Sequence, residues 1–136
     1  MTLVHEMSHA LMDQYHDLLS LQRSSEHDDD MALAVGALIE GEATLCMLVG
    51  PSSDKDLLRL PPGFMSTYLG LVTPLLSFST GPAYRGAPRV IRESLVFPYL
   101  SGLAFCLSLT SGDGDWSPVD RAFSEPPLST ETVHDL

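Results

Sequence analysis

The sequence predicts a mainly α-helical protein, a compact helical bundle with little or no sheet. It is built around a first helix carrying His5-Glu6-Met7-Ser8-His9 and a second helix that brings a carboxylate to it. Three observations predict this. Residues 31–49 are apolar nearly all round, the pattern of a buried helix. His5 and His9, four residues apart, fall on one helical face among good helix formers. No stretch alternates apolar and polar residues as a half-buried strand does, and there is no internal repeat or heptad pattern. The length suits one domain spanning 1–136.

The first helix is expected from about Thr2, a suitable N-cap, to Leu19 or a little beyond. Leu3, Met7, Leu11, Leu18 and Leu19 would form its buried stripe. The polar run 23–30 reads as a loop. Its last three acids, Asp28, Asp29 and Asp30, suit the positive end of the helix that follows. That second helix runs from Met31 to about Val49 and is closed by Gly50-Pro51-Ser52-Ser53. Asp54 to Leu60 reads as a short amphipathic turn or helix broken at Pro61-Pro62-Gly63. Phe64 to about Ser79 is apolar, with Pro74 as a kink or boundary. Gly81 to Pro88 is a loop. A longer helix follows from Val90 to Thr110, then a turn over 111–115 and a short helix from Ser117-Pro118 to Phe123. The tail from Glu125 starts extended.

The chemistry concentrates in the first two helices. Zinc takes neutral imidazole nitrogens, and histidines four apart can offer two to one ion. Glu6 stands one step round from His5, near the metal and off the ligand line, where it can take a proton from an attacking water. The alternative is an amphipathic helix that carries two histidines by chance. His16 shares their face but lies roughly 10 Å along the axis from His9, too far for one tetrahedral ion. Asp13 is either solvated or a hydrogen-bond partner of a ligand imidazole. Glu40 and Glu42 interrupt the apolar second helix, and an unpartnered buried carboxylate is costly. Coordination removes that difficulty for one of them. Glu40 is the expected third ligand, because its neighbours Gly36, Ala37, Ala43 and Thr44 are small and would let the first and second helices approach closely. Glu42 points roughly 200° away around the helix. An exposed acidic pair is the alternative. One zinc per chain on His5, His9 and Glu40 is the expectation.

Composition bounds the partners. Seven Lys and Arg against eighteen Asp and Glu give a net charge of −11, which argues against a nucleic-acid surface. The most apolar run, Leu95 to Leu109, is shorter than a membrane span and holds Pro98 and Gly102, so a core helix is expected and no stable span. Cys46 and Cys106 are expected as buried free thiols, with a single disulfide as the alternative. No leader segment is evident, and either a short native protein or the downstream part of a longer one accounts for a chain opening in its metal-bearing helix.

The stretches HEMSHALMDQYHDL (5–18), ALAVGALIEGEATL (32–45), VFPYLSGLAF (96–105) and PPLSTETVH (126–134) together resemble the gluzincin zinc metallopeptidases. Among these the similarity is to small bacterial HExxH-containing predicted peptidases. The resemblance implies a zincin-like helical core, His5, His9 and Glu40 as zinc ligands, and Glu6 as general base and acid. Tyr99 or His134 would donate to the developing oxyanion. The tail STETVHD departs from the group's pattern by one residue before its histidine. Gluzincins also align substrate on the edge strand of an upstream sheet, which Met1 to Val4 cannot supply. The function so implied is zinc-dependent hydrolysis of peptide bonds in a peptide or protein substrate. A non-catalytic zinc-binding domain, or a peptidase remnant acting through protein contacts, is the rival reading. A protein side chain in the fourth coordination position would mark the rival.

Overall fold

The structure, a computed structural model, describes residues 2–50, 84, 86–110 and 114–135. Among these residues there is no strand, and six helices carry the fold: α1 (Thr2–His16), α2 (Leu18–Ser25), α3 (Asp29–Val49), α4 (Arg89–Leu109), α5 (Ser117–Ser124) and α6 (Thr130–His134). The mainly helical class is therefore as the sequence indicates. The segments expected over 54–60 and 64–79, and most of the loop over 81–88, lie outside the described residues.

The single first helix of the sequence reading is in fact two. Asp17 takes a left-handed backbone (φ 46°) between α1 and α2, and its carboxylate accepts from the Ser20 N–H at 3.1 Å and the Ser20 hydroxyl at 2.8 Å. Asp is one of the few residue types that enters this region readily, because its short side chain can bond locally. Asp13 adds a second anchor by accepting from the Leu18 N–H at 3.0 Å, so it serves the break rather than an imidazole. The buried stripe also differs. Leu3, Met7, Leu11 and Leu19 are exposed, whereas Met12, Ser8 and Leu18 are buried. α1 is rolled so that its histidine face, not its leucine face, meets the rest of the bundle.

α3 is the hub and packs against every other described helix. It starts at Asp29, two residues before the expected Met31. Asp28 caps it by accepting from the N–H groups of Asp30 and Met31, and the loop before it shrinks to the residues after Ser25. Ala34, Val35, Ala37, Leu38, Ile39, Ala43 and Leu45 fill the core from this helix. Its main partner is α4, which contributes Leu103, Phe105 and Cys106. The two backbones touch at glycine. A Cβ at Gly41 would fall on the backbone of Gly102, and one at Gly102 on the carbonyl of Ala37. The small residues flanking Glu40 thus admit α4 rather than α1, and Gly36 faces open space.

α3 and α4 are each long and apolar enough to cross a membrane by length and composition. Only the C-terminal half of α4 is core; its N-terminal half exposes Val90, Ile91 and Leu95. Val119 and Phe123 anchor α5, which begins at Ser117 as expected, with Asp115 accepting from the Ser117 N–H at 2.9 Å. The tail forms the additional helix α6. Ser129 caps it, and Asp30 at the start of α3 accepts from the N–H and hydroxyl of Thr130 at 3.2 and 2.6 Å. Cys46 and Cys106 are free thiols.

Candidate metal centre

The roll of α1 that exposes its leucines turns His5 and His9 toward α3, where Glu40 meets them. His5 Nε2 lies 3.1 Å from Glu40 Oε2 and 3.1 Å from His9 Nε2, and His9 Nε2 lies 3.5 Å from the same carboxylate oxygen. Metal bonds of about 2.0–2.1 Å at the tetrahedral angle place ligand atoms roughly 3.3 Å apart. The three atoms therefore stand at the spacing that one tetrahedral zinc requires. Two facing imidazole nitrogens and a carboxylate are also a donor set matched to a divalent cation, since each can present a lone pair to a common point. Among the described residues this is the one group of three or more His, Cys, Asp or Glu side chains so placed. The side chains of His5, His9 and Glu40 keep 14, 23 and 27 % of their surface accessible, so a small molecule can reach them from solvent.

Tyr99 of α4 completes the neighbourhood. Its ring stacks on that of His5 with centroids 6.2 Å apart, and its hydroxyl lies close enough to Glu40 for that carboxylate to act on its titration. Burial, the neighbouring Glu40 carboxylate and the Glu6 charge all hold the phenol above its ordinary range, so it stays a proton donor. The close α3–α4 contact explains this meeting. Glu40 adjoins Gly41, and Tyr99 precedes Gly102 by less than one helical turn, so the glycine crossing brings the two side chains together. Glu6 is exposed on α1, close enough for its charge to bear on Tyr99.

The remaining candidates are elsewhere. His16 stacks on Phe123 with centroids 4.5 Å apart and lies 3.8 Å from Asp120. His134 packs edge-on against Phe97 of α4, with centroids 5.2 Å apart. Glu42 points away from the triad, as its position on α3 implies. Cys46 donates its thiol to Glu42 Oε1 at 3.2 Å, while Glu42 Oε2 is buried without a partner. Burial, with the Asp120 charge adding to it, raises this carboxyl against the opposing effects of Cys46 and His5. Burial and the Glu42 charge in turn push the Cys46 thiol up to about 12, so it is no thiolate ligand.

Comparison with protein-family models, with curated proteins and with solved structures gives no match.

Proposed function

We infer that this chain is a zinc-dependent metallopeptidase of gluzincin-like plan, with His5, His9 and Glu40 as ligands. The observation that carries the reading is the tetrahedral spacing of His5 Nε2, His9 Nε2 and Glu40 Oε2, at 3.1, 3.1 and 3.5 Å. Zinc held there supplies a Lewis acid and an acidified water. The chain's own residues do the rest. Glu6 accepts the proton of the attacking water and passes it to the leaving amine. Its exposure next to His5 suits a group that must meet both water and substrate. Tyr99 donates its hydroxyl proton to the carbonyl oxygen as negative charge gathers there, a contact strongest in the transition state. We assign this role to Tyr99 rather than His134 because Tyr99 stacks on His5 within reach of the Glu40 charge, whereas His134 is packed against Phe97.

The three-ligand set supports an open, catalytic position over a closed structural one. None of the conceivable fourth ligands, His16, Glu42 and His134, belongs to the group that His5, His9 and Glu40 form. The test begins with metal content per chain by plasma mass spectrometry, followed by a peptide-library cleavage screen with Glu6→Gln as control. About one zinc per chain, and cleavage lost in Glu6→Gln with zinc retained, are expected. Zinc without any cleavage favours the non-catalytic domain; cleavage retained in Glu6→Gln removes Glu6 from the mechanism.

A further inference from the structure

Along the N-terminal half of α4 a cavity of about 530 Å³ is lined by Tyr84, Arg92, Val96, Phe97, Leu100 and His134, among others. None of the metal-centre residues lines it. Its size falls within the range of small-molecule pockets. Two arginines border it, and they differ. Arg89 is paired with Glu93 at 2.6 Å. The Nε of Arg92 is buried with no hydrogen-bond partner among the described residues. Glu93, which also lines the cavity, is engaged by Arg89 and leaves the Arg92 Nε without an acceptor among the described residues. A buried cationic donor without an acceptor costs free energy unless an anion supplies one.

We propose that this cavity binds a small organic carboxylate with an apolar body, the carboxylate taken by Arg92. The planar guanidinium matches two carboxylate oxygens in a fork. Val96, Phe97 and Leu100 offer the hydrocarbon a wall. Tyr84 braces the backbone beneath the cation by donating its hydroxyl to the Arg92 carbonyl at 3.4 Å. His134, set edge-on to Phe97, adds a polar group to the same cavity. A single unpaired guanidinium suits a monoanion better than a phosphate dianion, which draws on several cations.

The probe is 3-phenylpropionate, titrated into the full ¹⁵N-labelled chain with a chelator present, so that the acid finds no metal. The readout is the Arg92 Nε–Hε resonance, assigned by its loss in Arg92→Gln. A saturable shift is expected. Binding should be weakened at least about tenfold for 3-phenylpropanol and for Arg92→Gln, and removed by Leu100→Trp, which fills the cavity. Inorganic phosphate should bind more weakly than the acid. Equal binding of the alcohol would show an apolar pocket only, and equal binding of phosphate a general anion site. Either result, or no shift at all, overturns the proposal. Should Arg92→Gln not fold, the comparison of acid with alcohol on the unaltered chain decides.

Discussion

Gly102→Ala is the substitution that most directly tests how the fold assembles the candidate metal centre. A Cβ at Gly102 would overlap the carbonyl oxygen of Ala37 and stand 2.8 Å from its carbonyl carbon and 3.1 Å from its Cα. Ordinary carbon contacts are about 3.5–4.0 Å, so α3 and α4 must separate by on the order of 1 Å. The obstacle is backbone and cannot rotate aside. Overpacking costs about 1–3 kcal/mol, and a backbone clash belongs at the upper end. The better helix propensity of Ala returns about 1 kcal/mol, leaving a net loss of about 2 kcal/mol. For a chain of this size that lowers Tm by roughly 4–8 °C. Gly36→Ala is the internal control, since nothing lies within 4 Å of its added Cβ, and it should raise Tm through propensity alone. Thermal melts followed by far-UV circular dichroism on the metal-free proteins give both numbers. Gly102→Ala as stable as the parent chain would refute the close glycine contact and the placement of Tyr99 on Glu40 that depends on it.

Glu40→Ala should weaken zinc binding by more than about 100-fold, the most that losing a group hydrogen-bonded to a ligand causes. Competition with a chromophoric chelator measures it, and an unchanged affinity would mean that another residue is the third ligand. Glu42→Gln should stabilise the metal-free protein in a pH-dependent way. The folded carboxyl titrates above its unfolded value of 4.5, so the ionisation penalty is absent below that value, grows as pH rises from it to the folded value, and is constant beyond. Urea midpoints should therefore favour the variant progressively as pH rises above about 4.5; a constant gap would show that Glu42 ionises freely in place. Asp17→Ala should lose about 1 kcal/mol of capping and about 1–2 kcal/mol to the left-handed backbone, while Asp17→Asn stays near the parent. Equal urea midpoints for Ala and Asn at this position would count against the Asp17 break.

The misreadings at α1 have a common physical origin. Leucines at helical spacing announce an apolar face but not whether another element covers it, and Leu3, Met7 and Leu11 turned out exposed. The pattern of the histidine face, His5, Ser8, His9 and Met12, was equally available, yet its burial depended on α3. At Asp17 the helical pattern continued through the break, because a capping aspartate and a solvated one look alike in sequence; only the bonds from Ser20 to Asp17 and from Leu18 to Asp13 distinguish them. The small residues beside Glu40 announced a close helix approach, but the partner expected there was the first helix. The actual partner is Gly102, far along the chain.

The sequence by itself determined the helical class, the extent of α3 to within two residues, and the chemistry offered by His5, Glu6, His9 and Glu40. These are local properties: propensity, the angular step of a helix and the identity of donor atoms act over a few residues. Only the tertiary structure decided which face of α1 is buried, that Tyr99 rather than His134 lies near Glu40, and that the Arg92 Nε has no hydrogen-bond partner among the described residues. Each of these depends on how helices roll and cross. Rolling is settled by contacts between segments distant in sequence, at places such as Gly41 on Gly102 where the absence of a side chain lets two backbones meet.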